Sequence, residues 1–478
     1  MESRDIPNLF KSLMKNFYDI TIIGSGLTGL TTALNLAKAG KSVAIIEKDA
    51  YTGGQIQTYT ENGFTYETGP NTAVISNYEV IDLFNQLPTC EVEIAKESAK
   101  KRLIFKNGSL YPLPSGLVSA ITTPLFSLKD KINVLFEPIR DKGTNPDESV
   151  AGIAARRLGQ SFVDYAVDPF ISGIYAGDPT KLVTRYALPK LYNLEQTYGS
   201  FIKGAIGKAR LPKTEQDKLV SKKVFSAKNG LSQLTDAIVT ELKTRYSKTV
   251  TFYLNAQDAT ITPLNQNQWE TSFIQNGVRT TVESEFIIPT TGGYTYISLM
   301  PFISKERLKP ISDLIYAGVI QVSVGIHNGA TYSVNAFGSL MPGKEKRNIL
   351  GILYPSDCFE NRAGVNDLLL SVFMGGTKNP LLFNKNDQEI ENLVRKELFD
   401  IMNIPQSIHF DLFKITRHEK AIPQYLADSK ERFELIGQLE AEYPGLIIGG
   451  NIHQGIGMPD RIKQAYLISK RIIASKEV

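Results

Sequence analysis

The chain of 478 residues is long enough for two or three domains, and its 42% hydrophobic share is that of a globular protein. The net charge of only +4 argues against nucleic-acid binding, although a slightly basic surface suits anionic small molecules or anionic lipid. The two cysteines and four histidines have no metal-ligand spacing, which argues against a metal site and favours unpaired thiols in a reducing compartment. Without a secretory signal or an apolar run of ~18 residues, we expect a cytoplasmic protein, soluble or peripheral on a membrane.

The first predicted element is a β-branched strand, residues 20–23, which leads into the spacing G-x-G-x-x-G. Gly24 allows a sharp turn, Gly26 lets the backbone approach a pyrophosphate, and Gly29 lets the next helix pack closely on the strand. The N-terminus of that helix offers unpaired N–H groups to the phosphates. A second strand ends at Glu47, whose carboxylate can accept hydrogen bonds from ribose hydroxyls. Together these parts predict a dinucleotide-binding βαβ unit.

The next stretch, KDAYTGGQIQTYTENGFTYETGPN, favours FAD over a nicotinamide cofactor. Its double glycine, Gly53-Gly54, and its later Gly69-Pro70 step resemble the amine-oxidase-like flavoproteins, in which the double glycine passes close to FAD. Gln55 stands where many members of that superfamily have a basic residue. Near the C-terminus, LIIGGNIHQGIGMPD predicts a strand, a second glycine-rich loop and a helix beginning near Asp460.

The predicted fold class is α/β, with a Rossmann-type FAD-binding domain assembled from residues 17–88, 222–298 and 441–478. Residues 89–221 are predicted to form a mostly helical subdomain with a substrate channel, and residues 299–440 a mixed-sheet substrate domain with a charged helix near 387–402. Within the helical region, PSGLVSAITTPLFSLKDKINVLFEPIRD is apolar and then amphipathic. This stretch fits either a surface that docks on a membrane or a helical unit that packs on its own core.

A longer stretch, residues 145–206, indicates one family within this flavoprotein superfamily. Its arginine pair, its FISGIYAGDP run and the ALPKL that follows resemble the protoporphyrinogen oxidases, the FAD enzymes that aromatise porphyrinogens in haem synthesis. Four other stretches agree: KRLIFKNGSLYPLPSG, NAFGSLMP, KAIPQY and GGNIHQGIGMPD. The resemblance implies bound FAD, a porphyrinogen substrate and molecular oxygen as acceptor. It further implies hydride transfer to flavin in three successive rounds, hydrogen peroxide release and a homodimer, whereas peripheral membrane contact is suggested only by the amphipathic stretch described above.

The resemblance also carries site residues onto this chain. The implied cofactor-binding positions are Gly24, Ser25, Gly26, Leu27, Thr28, Gly29, Glu47, Lys48, Gly53, Gly54, Gln55, Gly69, Pro70, Asn71, Asp258, His418, Gly450, Asn451, Ile456, Gly457 and Met458. The implied substrate-binding positions are Arg102, Gly173, Tyr175, Val319 and Phe337.

Each substrate position has a chemical reason. Arg102 can pair bidentately with a carboxylate, and Phe337 can stack against a macrocycle. Gly173 would present its carbonyl to pyrrole N–H groups, Tyr175 would shape the wall, and Val319 would be an apolar pocket residue. No side chain stands out as a catalytic acid or base, so the flavin is expected to carry the chemistry.

Two departures from the family pattern concern the cofactor. His418 stands where the family usually has a tryptophan beside the flavin, and at Asp258 only a backbone contact is carried over. Protoporphyrinogen and coproporphyrinogen remain alternative substrates, since they differ only in their number of carboxylates. An amine oxidase or desaturase of the same superfamily, and a flavin-binding protein that serves as a porphyrin carrier, also remain open.

Overall fold

The structure, a computed structural model, describes residues 16–114, 117–264 and 268–475. Their strands are β1 (Asn16–Ile23), β2 (Val43–Ile46), β3 (Thr58–Glu61), β4 (Phe64–Glu67), β5 (Ala73–Val74), β6 (Val92–Ile94), β7 (Arg102–Lys106), β8 (Ser109–Pro112), β9 (Val224–Ala227), β10 (Val250–Tyr253), β11 (Gln257–Pro263), β12 (Trp269–Gln275), β13 (Val278–Pro289), β14 (Tyr316–Ile326), β15 (Gly338–Leu340), β16 (Ile349–Leu353), β17 (Leu368–Gly375) and β18 (Leu412–Pro423).

The α-helices of the same residues are α1 (Leu27–Lys38), α2 (Tyr78–Asn85), α3 (Leu117–Thr122), α4 (Leu128–Leu135), α5 (Val150–Leu158), α6 (Gln160–Phe162), α7 (Asp168–Tyr175), α8 (Thr184–Ala187), α9 (Pro189–Tyr198), α10 (Phe201–Ala209), α11 (Glu215–Leu219), α12 (Ser232–Thr244), α13 (Tyr296–Leu299), α14 (Lys305–Ser312), α15 (Pro355–Cys358), α16 (Asp387–Met402), α17 (Ser429–Glu442) and α18 (Met458–Ala474). The expected helix near 387–402 is confirmed as α16.

A six-stranded sheet with the order β10-β2-β1-β13-β12-β11 forms the first layer. Its first four strands are parallel, and β12 and β11 are added antiparallel. The strands β1, β2 and β13 are rich in isoleucine and valine because both faces of this part of the sheet are covered. Helices α1, α12 and α18 contribute buried side chains to the cluster on one face. This is a Rossmann-type arrangement, and the expected fold class is confirmed.

The second large sheet has seven strands in the order β18-β14-β17-β16-β15-β7-β8. Neighbours are antiparallel except β15 and β7, which are parallel. Along β14, Ile320, Val322 and Val324 are buried in a cluster that includes Ile390 and Val394 of α16. The alternate residues of β14, among them Val319 and Gln321, therefore lie on the other face.

Two boundaries differ from the sequence expectation. Strands β7 and β8, expected within the helical region 89–221, belong to the seven-stranded sheet because their buried residues, Leu103 and Phe105, complete its core. Helix α14 and helix α17, expected in the substrate domain, pack on the six-stranded sheet through Leu308 and Leu439.

The helical region contains α3 to α11, with one π-helical turn, Val163–Val167, before α7. Arg157 and Glu137 are both fully buried in this region and pair at 2.6 Å. Several large apolar side chains stay exposed on its surface, including Leu128, Leu135 and Ile139. Across the described ranges, no helix combines the length and the apolar character needed to span a membrane.

Candidate active site

The N-terminus of α1 forms the first part of the site. Gly24 has φ +100°, a left-handed conformation that glycine adopts without strain. A Cβ on Gly29 would lie 2.1 Å from the carbonyl oxygen of Gly24, so only glycine permits this close packing of helix on strand. A Cβ on Gly26 would meet no atom within 4 Å. The loop is therefore tight on its protein side and open at Gly26, where a pyrophosphate is expected.

Glu47 lies beside this loop. Its Oε2 accepts hydrogen bonds from the backbone N–H of Ser25 at 2.8 Å and from the Ser25 hydroxyl at 2.7 Å, and its Oε1 accepts from the N–H of Asp49 at 3.0 Å. A carboxylate offers about four acceptor positions, so one oxygen site stays available for a ribose hydroxyl. Glu47 thus both fixes the loop and suits the predicted role.

The double glycine passes directly over the phosphate loop. The N–H of Gly53 donates to the carbonyl oxygen of Ser25 at 2.9 Å, and a Cβ on Gly54 would lie 3.4 Å from the Cα of Gly26. Both residues have positive φ. Gln55 lies at the end of this turn, where its carbonyl oxygen would be 1.8 Å from a Cβ on Gly69. The two predicted glycine segments are therefore brought together by close backbone packing.

Residues 67–71 are fastened to the seven-stranded sheet by one side chain from each of three adjacent strands. The amide of Gln321 in β14 donates to the Glu67 carbonyl oxygen at 2.7 Å, and the hydroxyl of Ser371 in β17 donates to Oδ1 of Asn71 at 2.9 Å. In β18, Nε2 of His418 lies 2.6 Å from the carbonyl oxygen of Thr68. We call residues 67–71 the clamped segment. It joins the cofactor side of the site to the sheet, and Gly69, Pro70, Asn71 and His418 all lie at this junction.

A buried carboxyl group supports the clamped segment. Oε2 of Glu67 accepts from the Thr58 hydroxyl at 2.6 Å, and Oε1 accepts from the backbone N–H of Leu231 at 2.8 Å. Burial raises the pKa of Glu67 to about 7, against the lowering effect of these hydrogen bonds and of the nearby Arg362 guanidinium. Nη1 of Arg362 is buried and has no hydrogen-bond partner among the described residues. Glu67, Asn71, Phe337 and Arg362 line one small pocket.

The second glycine-rich loop, residues 449–457, is held by Arg461. Its guanidinium donates to carbonyl oxygens of Gly450, His453, Gln454 and Gly455. This loop lies beside the phosphate loop, because Thr290 contacts both loops. The Thr290 hydroxyl donates to the carbonyl oxygen of Ile23 at 2.9 Å, and a Cβ on Gly450 would lie 2.8 Å from the Thr290 carbonyl oxygen.

The rest of this loop lies between the cofactor side and the helical region. The Tyr425 hydroxyl lies 2.9 Å from the carbonyl oxygen of Asn451. Ile456 packs against the helical cluster that contains Tyr175, whereas Met458 is buried beneath the six-stranded sheet. Gly457 is the N-cap of α18, which begins at Met458, two residues before the start expected from the sequence.

The adenine side of the predicted site is more exposed. Asp258 has φ +50° at a bulge in β11, between the register positions of Gln257 and Thr260. The Gln257 amide donates to the carbonyl oxygen of Lys48 at 2.7 Å. Lys48 and the Asp258 bulge are therefore neighbours at the end of β2.

Two predicted substrate residues are brought together on the other side of the clamped segment. The guanidinium carbon of Arg102 lies 5.2 Å from the ring centroid of Phe337, a cation–π contact. Arg102 pairs with Gly338 in the parallel register of β7 and β15, so adjacent strands hold both side chains. Arg102 is exposed and has its charge toward solvent, while Phe337 is half-buried.

The FISGIYAGDP run forms the end of α7 and the turn after it. Gly173 is exposed in the last turn, where helix carbonyl groups lack intrahelical partners, and a Cβ on it would lie 2.7 Å from Cδ2 of Leu340. Tyr175 is different: its side chain is 3% exposed and its hydroxyl donates to the Ala187 carbonyl oxygen at 2.8 Å. The Tyr175 ring therefore packs in the helical core, and only its backbone can shape a substrate wall. Ala176 and Val319 share one small cluster, which joins this turn to β14.

The arrangement fits FAD on its own geometry. The N-terminus of α1, open at Gly26 and covered by the double glycine, suits the phosphates of a dinucleotide. The carboxylate of Glu47 beside it suits the ribose. A second glycine-rich loop lies beside this phosphate loop, joined to it through Thr290. The class of protein defined by this fold and site is an FAD-dependent oxidoreductase.

Comparison with known proteins agrees. Residues 27–473 match the sequence profile described as flavin containing amine oxidoreductase, and the chain belongs to that family. The expected FAD cofactor and the oxidoreductase class are thereby confirmed.

The named relatives are similar over nearly the full chain. The mitochondrial protoporphyrinogen oxidase of Nicotiana tabacum is 27% identical, over 92% of this chain and 91% of its own length. The coproporphyrinogen III oxidase of Bacillus subtilis (strain 168) is 26% identical, over 93% and 96%. A crystal structure from Exiguobacterium sp. 255-15, provisionally described as a protoporphyrinogen oxidase, superposes with a TM-score of 0.77 at 20% identity, over 96% and 99%. The sequence resemblance to protoporphyrinogen oxidases is confirmed, and the solved structure confirms the fold.

Sequence reasoning missed the residues that hold the site in place. Gln321 and Ser371 lie in apolar runs that predict β-strands and nothing more. The presence of a polar residue inside each apolar run was the one indication of a further role. Arg461 follows the expected loop directly, but nothing in its position reveals that it turns back onto four carbonyl groups. Glu67 and Arg362, which line one pocket, are almost 300 positions apart in the chain, and no local pattern indicates that they are close.

Proposed function

We propose that the protein is an oxygen-dependent FAD oxidase that converts protoporphyrinogen IX to protoporphyrin IX in haem biosynthesis. The observation that carries the proposal is the contact of Arg102 with Phe337, which lines a small pocket together with Asn71 of the clamped segment. A flat apolar ring with a carboxylate at its edge needs these features: an aromatic surface, one guanidinium, and a flavin on the far side. The names of the relatives from tobacco and Bacillus subtilis support the same substrate class.

When bound, FAD supplies hydride acceptance and reoxidation by molecular oxygen, with hydrogen peroxide as the reduced product. The chain's own residues bind and orient. Arg102 holds a carboxylate, Phe337 stacks on the ring, and the exposed last turn of α7 presents the Gly173 carbonyl to a pyrrole N–H. The clamped segment fixes the distance between this surface and the cofactor loops, because three strands hold it.

The proposal is tested with the purified FAD-loaded protein. Protoporphyrinogen and coproporphyrinogen are supplied separately, porphyrin fluorescence is followed above the autoxidation rate, and hydrogen peroxide is measured by a coupled assay. We expect acceleration with protoporphyrinogen. Acceleration with coproporphyrinogen alone would assign the coproporphyrinogen III oxidase activity instead, and no acceleration with either would refute porphyrinogen oxidation. Arg102→Ala should raise KM and leave kcat nearly unchanged, since the guanidinium binds a group remote from the reacting carbon.

We further propose that the helical region contacts an anionic membrane surface in a cytoplasmic protein. Leu128, Leu135 and Ile139 are 73–76% exposed on one short stretch. The neighbouring α10 adds exposed Lys203 and Lys208, and its start contacts this stretch because the Phe201 N–H donates to Glu137 at 2.8 Å. Exposed apolar side chains with cations nearby are what an anionic lipid surface attracts.

A further inference from the structure

A second cation, Lys96, lies beside the apolar floor that carries Phe337. This floor consists of Ala99, Val224, Cys358 and Phe359, with Phe337 packed against it. The Cys358 thiol lies 3.9 Å from the Phe337 carbonyl oxygen and is buried. The N–H of Lys96 donates to the carbonyl oxygen of Cys358 at 2.9 Å, so the backbone of Lys96 lies against this floor.

Lys96 and Arg102 flank one short helical turn, Glu97–Lys100. A 3₁₀ turn rises by about 2.0 Å per residue, so the backbones of the two residues are on the order of 10 Å apart. Buried Ala99 anchors the turn between them. Both cations also act on the same buried group: burial raises the pKa of the Cys358 thiol to about 12, while Lys96 and Arg102 oppose that rise. One apolar surface thus has two cations near it.

Lys96 is held by a partner that a ligand can replace. Its Nζ lies 3.0 Å from Oε1 of Glu360, and the two side chains are 41% and 72% exposed. An exposed pair of this kind contributes little to stability. Arg102 has no carboxylate within ion-pair distance among the described residues. The rim therefore presents one unpaired guanidinium and one ammonium whose carboxylate partner is readily exchanged.

We propose that Lys96 is a second carboxylate anchor, which binds one carboxylate of a tetrapyrrole while Arg102 binds another, with Glu360 as the resident competitor. This inference rests on the proposed porphyrinogen substrate, and it adds the position at which a second carboxylate of that substrate binds. The ligand it fits is an apolar macrocycle with at least two carboxylates on its edge. Affinity should therefore depend on free carboxylates at both anchors and fall with ionic strength.

The test measures equilibrium binding of porphyrins to the FAD-loaded protein, which needs no turnover. The probes are coproporphyrin III, protoporphyrin IX and the dimethyl ester of protoporphyrin IX. Lys96→Ala should weaken both acids about two- to fivefold at low salt, with no effect on the ester. Glu360→Gln should tighten the acids, because it removes the competing carboxylate. Lys396→Ala is the matched control: Lys396 is exposed on α16, which packs on the opposite face of the seven-stranded sheet.

The proposal is overturned if Lys96→Ala binds the acids with wild-type Kd and salt dependence, or if the ester loses as much affinity as the acids. In steady state, Lys96→Ala should raise KM at unchanged kcat, a split that a merely structural role would not produce. If the wild type oxidises no porphyrinogen, the proposed function fails while the binding assay still decides on Lys96.

Discussion

Replacing Gly26 by alanine should separate cofactor binding from protein stability. Gly26 has φ −71° and ψ 178°, which any L-residue can adopt, and a Cβ there meets no protein atom within 4 Å. Alanine is a poorer helix N-cap than glycine, but it lowers the entropy of the unfolded chain, so the free energy of unfolding of the apoprotein should change by less than about 1 kcal/mol. The new methyl group would instead occupy the space expected for the pyrophosphate.

The effect on FAD follows from that crowding. Forcing one extra methyl into a filled site costs about 1–3 kcal/mol, which is about five- to 150-fold in Kd. The assay is titration of apoprotein with FAD by flavin fluorescence, beside urea unfolding of the apoprotein. Gly437→Ala controls for the substitution itself, since its Cβ also meets nothing within 4 Å and it lies in α17. Gly29→Ala should lower both stability and FAD affinity, because its Cβ would lie 2.1 Å from the Gly24 carbonyl oxygen. Wild-type FAD affinity in Gly26→Ala would show that no phosphate lies against Gly26.

Three further predictions concern other parts of the molecule. Ser371→Ala leaves Oδ1 of Asn71 without its hydrogen bond and should lower the free energy of unfolding by about 1 kcal/mol in urea; unchanged stability would contradict the clamp. The pKa of Glu67 is raised to about 7 in the folded chain from an ordinary value near 4.5, so its stabilising contribution is complete below about pH 4.5 and is lost as pH rises towards 7. Glu67→Gln should therefore flatten the fall in stability between pH 5 and 7 by about 2 kcal/mol in urea unfolding series, and parallel curves for the two proteins would contradict this. Replacing Leu128 and Leu135 by aspartate should abolish co-sedimentation with anionic vesicles without changing porphyrin binding; equal sedimentation of both proteins would contradict membrane contact.

The sequence predicted those parts of the site in which local chemistry dictates the residue. The G-x-G-x-x-G spacing indicates a tight turn before a helix, and Glu47 at the end of the second strand indicates a ribose contact. The cofactor loops could therefore be predicted from the local sequence. Arg102 and Phe337 came from the family resemblance, and the structure brings them into contact although they are distant in the chain.

The sequence could not predict contacts made between elements that are remote along the chain. Tyr175 was expected at a substrate wall, but the turn of α7 directs its ring into the helical core, a fact set by packing of α7 against Tyr425 and its neighbours. Strands β7 and β8 were placed with the helices because their neighbours in sequence are helical. Their place in the seven-stranded sheet depends on pairing with β15, more than 200 residues further on.

The order of the six-stranded sheet has a consequence for how the protein is made. Strand β1 is synthesised long before its neighbour β13, which ends at Pro289, and before α18, which covers the same face as α1 and ends at Ala474. A nascent chain therefore cannot complete the FAD site until α18 has been synthesised, and β1 exposes apolar surface in the meantime. FAD capture should thus follow the synthesis of α18, and a chain that lacks this helix should never bind flavin.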